Sequence, residues 1–136
     1  MMKALVVGFG SIGKRHVNNL LLYKNLEVLV VTKQKSISNS KRVRVFRDLE
    51  EAIKEEPDIA LITNETSFHI SVAIKLAKRG IDIFIEKPLS DSLKGIKLLQ
   101  EITKKNRLVT MVGCNFRFYP PIVKLKEIVA KSLIGK

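Results

Sequence analysis

The sequence predicts an α/β domain built as a doubly wound parallel sheet, three layers thick, with six strands. Two observations carry this. Short β-branched apolar runs without alternation recur between stretches of helical spacing, the pattern of parallel β-α-β units with right-handed crossovers. A glycine-rich turn, Gly8-Phe9-Gly10-Ser11-Ile12-Gly13, also stands between the first such run and the first helical stretch. At 136 residues and 46% hydrophobic content, the chain has the size of one domain with a core of its own.

The elements follow in order. Lys3–Val7 reads as a strand buried on both faces, because it is apolar throughout. A helix is expected from Ser11 to Tyr23, then a strand at Glu27–Thr32, a polar loop over Lys33–Lys41 and a short strand at Val43–Phe46. Asp48 is placed to cap a helix through Glu55, and Pro57 ends it. Asp58–Thr63 is the fourth strand. Thr66–Arg79 is helical by spacing, with Gly80 in the place of a C-terminal cap. Ile81–Glu86 is the fifth strand, Ser90 precedes a helix over Asp91–Lys105, and Leu108–Gly113 is the sixth strand. Pro120 and Pro121 suit the first turn of a last helix.

The net charge is +12, which raises nucleic acid or anionic lipid as partners. The bases are scattered along helices and loops without interleaved aromatics, so they read as solvated faces and neither nucleic acid nor membrane is expected as a partner. One stretch differs: Lys33, Lys35, Lys41, Arg42, Arg44 and Arg47 precede the first acid, Asp48. The start of the chain lacks the pattern of a secretory signal, and no apolar run reaches transmembrane length. The single cysteine, Cys114, makes no internal disulfide or metal-binding pattern and reads as a packed thiol. A reducing cytoplasm is the expected compartment.

In the glycine turn, Gly8 permits the tight bend, Gly10 lets backbone approach a pyrophosphate, and Gly13 lets helix and strand pack closely. Phe9, Ser11 and Ile12 lie between them, and the helix start offers free N–H groups to phosphates. A carboxylate at the end of the second strand, about 20 residues on, would accept a ribose 2′-hydroxyl and select NAD. Thr32-Lys33-Gln34-Lys35 stand there instead. Hydroxyl and ammonium groups suit a phosphorylated ribose, so NADP is favoured over NAD. Thr63, Asn64 and Glu65 follow the fourth strand and fall at the ligand edge of such a sheet. His69, at the start of a helix, reads equally as a buried histidine with its bonds satisfied or as a catalytic one. Glu86-Lys87-Pro88 closes the fifth strand. Lys87 there is either a residue that holds the nicotinamide ribose and a substrate hydroxyl, or half of a surface ion pair before a proline. Asn115 and Arg117, in the loop after the sixth strand, reach the same edge, whereas Phe116, Phe118 and Tyr119 suit either that edge or a neighbouring domain.

VGFGSIGKRH, TNETSFH, EKPLS and GCNFRFYPP together resemble the amino-terminal half of the glucose-fructose oxidoreductase/inositol dehydrogenase/MocA family. The resemblance covers essentially the whole chain, and EKP followed by N-x-R-F-x-P is its most specific part. It implies a Rossmann fold, a nicotinamide cofactor and hydride transfer at a carbinol carbon of a sugar, cyclitol or nucleotide sugar. It implies Lys87 as the catalytic lysine, with Glu86, Asn115 and Arg117 around the nicotinamide. It also implies a second, sheet-rich domain that carries most substrate contacts and the surface for homo-oligomerisation. Residues 1–120 are then the dinucleotide-binding domain and 121–136 a helix leading to that second domain. A chain of this extent is expected to bind cofactor without turning over substrate. A non-catalytic dinucleotide-binding or sensing module is the alternative.

Overall fold

The computed structural model describes residues 1–34 and 40–133. Lys35, from the predicted cofactor loop, lies outside the described residues.

Six strands form one parallel sheet: β1 (Met2–Val7), β2 (Leu26–Val31), β3 (Val43–Phe46), β4 (Ile59–Ile62), β5 (Asp82–Ile85) and β6 (Thr110–Val112), in the spatial order β3-β2-β1-β4-β5-β6. This is the strand order of a dinucleotide-binding doubly wound sheet. β1 lies at the centre, with Val6 in register with Val30 of β2 on one side and Leu61 of β4 on the other. Its successive side chains enter opposite layers. Ala4 and Val6 pack with Val17 of helix α1 (Ser11–Leu20). Leu5 and Val7 join the larger layer with Ala52 and Ile53 of α2 (Leu49–Ile53), Leu76 of α3 (His69–Lys78) and Leu99 of α4 (Ile96–Lys105). A final helix, α5 (Pro120–Ala130), contains no buried residue and leaves Ile122, Val123, Leu125 and Val129 exposed.

Several boundaries differ from the sequence reading. The first helix stops at Leu20 rather than Tyr23, because the Leu21 and Tyr23 carbonyls are taken by the Arg42 guanidinium at 2.6 and 2.8 Å. Thr66–Arg79 divides into a 3-10 turn, Thr66–Phe68, and α3. The helix expected from Asp91 begins only at Ile96: Gly95 holds a left-handed φ of 81°, and the Ser90 hydroxyl closes a local turn with the Ser92 N–H at 3.2 Å. Asp48 does cap α2, accepting the Glu50 and Glu51 N–H groups at 2.8 and 3.2 Å. Cys114 is exposed, not packed: it follows β6, which is the sheet's outer strand, so no further strand covers it.

Candidate functional site

The helices that follow β1 and β4 lie on opposite faces of the sheet, so the chain parts between these adjacent strands and leaves a crevice at their carboxyl ends. The glycine turn lines it. Gly8 has φ 98°, and a Cβ there would meet the Asn64 nitrogen at 2.7 Å and the Asn64 Cα at 2.8 Å. Gly13 faces inward, where a Cβ would collide with the Gly8 carbonyl oxygen and lie 2.9 Å from Thr63 Oγ1. That hydroxyl sits 3.1 and 3.0 Å from the Val7 and Gly8 carbonyl oxygens and fixes the turn to β4. Gly10 is the exception: among the described residues, nothing beyond its chain neighbours lies within 4 Å of its would-be Cβ. It is also the N-cap of α1, without a side-chain cap bond and with no acid in the first turn. The first N–H groups of α1 and the positive end of its dipole therefore remain available for an anion.

Three adjoining cavities run along this edge. The largest, about 780 Å³, is bounded by Gly8, Phe9, Gly10, Thr32, Lys33, Gln34, Arg47, Thr63, Asn64, Glu65 and Phe68 among others. A middle one shares Thr63 and Asn64 with it and adds Ile12, His69, Glu86 and Lys87. The third, about 350 Å³, shares Ile12, Glu86 and Lys87 and adds His16, Cys114, Asn115 and Phe118. Most of the residues predicted from sequence are thus brought to one crevice. Arg117 and Pro88 bound none of the three cavities, and neither do Ser11 and Gly13, which support the turn from α1.

The chemistry of individual groups is more specific than the sequence allowed. His69 is 1% exposed, with Nδ1 3.0 Å from the Pro88 carbonyl oxygen and Nε2 3.0 Å from the Asn64 carbonyl oxygen. Its ring lies between the loops after β4 and β5, buried as one of the two readings expected, and whichever nitrogen carries the proton donates to one of these carbonyls. Glu86 and Lys87 do not pair with each other through their side chains. Glu86 Oε1 instead meets His16 Nε2 at 2.8 Å, while Oε2 accepts the Lys87 backbone N–H at 3.2 Å. Lys87 is exposed at the rim. Asn64 Oδ1 is buried and has no hydrogen-bond partner among the described residues, although such atoms are normally satisfied.

Sequence reasoning did not place His16, Gln34 or Arg47 at the site. His16 was foreseeable, lying on the inner side of α1 one turn past Ile12. Gln34 Nε2 donates to the Phe9 carbonyl at 3.0 Å and Arg47 to carbonyls of the β2 loop, contacts that no local pattern signals. Two of the clustered arginines have other duties: Arg42 caps α1, and Arg44 pairs with Glu55 at 2.6 Å and reaches Glu27 at 3.5 Å. The Arg44 guanidinium holds the Glu55 carboxyl below its ordinary value, chiefly through this hydrogen bond, and is itself raised.

Residues 2–114 match the oxidoreductase family with an NAD-binding Rossmann fold, known as the glucose-fructose oxidoreductase/inositol dehydrogenase/MocA family. The chain belongs to this family. It is 32% identical over 99% of its length to myo-inositol 2-dehydrogenase of Thermotoga maritima, and 28% identical over 99% to the NAD(+)-dependent scyllo-inositol 2-dehydrogenase of Bacillus subtilis. In each case it spans 42% of the relative's length. Among solved family structures, scyllo-inositol dehydrogenase from Lactobacillus casei, with bound NAD(H) and scyllo-inositol, superposes with a TM-score of 0.87 at 21% identity, over 100% of this chain and 43% of that one. At that identity the likeness establishes the fold. The family match takes in the glycine turn, the β4 loop, Glu86-Lys87-Pro88 and the start of the loop that carries Asn115.

Proposed function

We propose that this chain is the dinucleotide-binding unit of an oxidoreductase acting on a CH–OH carbon of a sugar, cyclitol or nucleotide sugar, with NADP preferred to NAD. One observation carries the reading: Gly10, whose missing side chain leaves open space over the uncapped start of α1, lines the same large cavity as Asn64, whose Oδ1 has no hydrogen-bond partner among the described residues. A buried acceptor without a donor costs about 1–3 kcal/mol, and rotation of the Asn64 amide toward a ligand hydroxyl or amide in the crevice would remove that cost.

The donor set fits a dinucleotide. The α1 N–H groups would hold the pyrophosphate, and the wall formed by Thr32, Lys33 and Gln34 would hold the adenosine ribose. Asn64, Lys87 and Asn115 would bound the nicotinamide end. A bound nicotinamide supplies the carbon that gives or takes the hydride. Lys87 Nζ, exposed at the rim, would orient the substrate hydroxyl and hold or move its proton. Glu86 is kept off that ammonium by His16 and steadies the Lys87 backbone. Positioning of this kind accounts for much of enzymatic rate.

Because the relatives are more than twice this length, we assign the remaining substrate contacts, and self-assembly, to sequence of the kind those relatives carry beyond the matched region. No helix among the described residues is long and apolar enough to cross a membrane, and an exposed free thiol at Cys114 suits a reducing cytoplasm. Titration of this chain with NADPH and NADH, followed by nicotinamide fluorescence, tests the reading. Saturable binding is expected; no binding of either at millimolar concentration overturns it.

A further inference from the structure

We infer that Arg47 selects the cofactor by binding a 2′-phosphate on the adenosine ribose. The inference rests on the proposed reading of the crevice as a dinucleotide site and names the residue that decides between its two forms.

Arg47 follows β3, the outer strand beside β2, and bounds the large cavity with Lys33 and Gln34. Its Nη1 donates to the Thr32 carbonyl at 2.8 Å and to the Gln34 carbonyl at 2.5 Å. Those bonds use both hydrogens of Nη1. The Nη2 and Nε groups have no partner among the described residues, so one edge of the guanidinium is anchored and the other remains available. The loop that anchors it is itself fixed. Thr32 Oγ1 accepts the Gln34 N–H at 3.2 Å, and Gln34 Nε2 donates to the Phe9 carbonyl at 3.0 Å. A planar, permanently charged group is thus preoriented at the strand end where an NAD-selecting carboxylate would stand.

The surrounding charges leave Arg47 uncompensated. Asp48 is turned to the α2 N–H groups, and Glu50 meets Lys75 at 3.3 Å and Arg79 at 3.7 Å. Glu65 bounds the same cavity from the end of β4. In the order β3-β2-β1-β4 it is two strand spacings, roughly 10 Å, from the end of β2. Lys33, exposed next to Thr32, adds a second positive charge on the Arg47 side. Arg42 and Arg44, from the same basic stretch, are committed to the end of α1 and to Glu55. Arg47 alone of the three both faces the crevice and lacks a carboxylate partner.

A structural role as a tether for the loop is the competing explanation, and Arg47→Gln separates the two, because its amide can still donate to a loop carbonyl but carries no charge. Affinities for NADPH and NADH, and competition by 2′,5′-ADP against 5′-ADP, are measured on the wild-type chain, Arg47→Gln and Arg47→Lys. Charge-assisted bonds to phosphate predict a wild-type preference for NADPH of at least about tenfold. Arg47→Gln should abolish it by weakening NADPH and 2′,5′-ADP about tenfold while leaving NADH within about twofold. Arg47→Lys should keep part of the preference. Equal weakening of NADPH and NADH in Arg47→Gln would identify a tether and overturn the inference, as would a preference that survives the change. Wild-type binding of NADH with no preference for NADPH overturns this inference and the proposed NADP preference while leaving the dinucleotide site standing, whereas failure to bind either cofactor removes the functional reading beneath it.

Discussion

Alanine at Gly8 and alanine at Gly10 should produce opposite phenotypes, although the two glycines are separated by one residue. At Gly8 the new methyl meets Asn64 nitrogen, Asn64 Cα and Thr63 carbonyl carbon at 2.7, 2.8 and 2.9 Å, all backbone atoms that cannot rotate away. The φ of 98° adds a penalty of about 1–2 kcal/mol for a residue with a Cβ, and overpacking adds about 1–3 kcal/mol. The sum, about 2–5 kcal/mol, is a large part of a typical domain stability of about 5–15 kcal/mol. With a urea dependence of about 2 kcal/mol/M, the unfolding midpoint should fall by about 1–2.5 M. At Gly10 the methyl meets nothing beyond its chain neighbours within 4 Å among the described residues. Alanine is a poorer N-cap than glycine, but it also restricts the unfolded chain, and these effects offset each other to within about 1 kcal/mol. The methyl would instead occupy the space over the helix start, and dinucleotide affinity should drop at least about tenfold. Urea unfolding followed by circular dichroism, with NADPH titration of both variants, provides the measurement. The reasoning is refuted if Gly8→Ala unfolds with the wild type, if Gly10→Ala loses more than about 1 kcal/mol, or if Gly10→Ala binds as tightly as the parent.

Three further outcomes are expected. His69→Ala, which removes a buried ring and takes the donor from the Asn64 or the Pro88 carbonyl, should cost about 2–4 kcal/mol in urea; an unchanged midpoint would show that the ring pins nothing. Lys87→Met should leave stability within about 0.5 kcal/mol, because the side chain is exposed and has no partner among the described residues. In a form of the protein that turns over substrate, it should slow hydride transfer by about 10²–10⁴, and full retained turnover would exclude Lys87 from the chemistry. The Glu55 carboxyl is lowered by Arg44, so its contribution to stability is present above the ordinary carboxylate range and is lost as pH falls through the lowered value. Denaturant midpoints across acid pH should therefore decline less steeply in Glu55→Gln, and superimposable profiles would contradict this.

The apolar runs between helical stretches placed all six strands, because the inner parallel strands are largely buried and have little freedom of composition; the half-exposed edge strand Val43–Phe46 was located to the residue by its β-branched residues between the polar loop and Asp48. The pyrophosphate turn was equally legible, since only glycine meets the steric demands at Gly8 and Gly13. The start of α4 was not. Helical spacing extends through Asp91–Gly95, but Gly95 takes a left-handed conformation where its Cα approaches α3, with Ile70 Cγ2 2.9 Å from a would-be Cβ, a tertiary constraint. The same limit applies to Glu86. Its neighbour in sequence suggested an ion pair with Lys87, whereas the fold brings His16, from α1, to within 2.8 Å. Pairings made across the sheet leave no trace in local spacing.

The junction of β1 with β4 has a consequence for how the molecule opens. The Lys3 N–H reaches Asp58 Oδ2 at 2.7 Å, and the Thr63 N–H reaches the Val7 carbonyl at 2.9 Å, fastening opposite ends of a seam between a β1-β2-β3 half and a β4-β5-β6 half. Forming it closes a long loop, an entropic expense that grows slowly with loop length, and breathing along it would part Gly8 from Asn64. A molecule lodged over the seam touches both halves and acts as a staple. At a hundred times its dissociation constant it adds about 2.7 kcal/mol against opening. Resistance of the whole chain to a protease should therefore rise with ligand concentration, even at cleavage points far from the crevice.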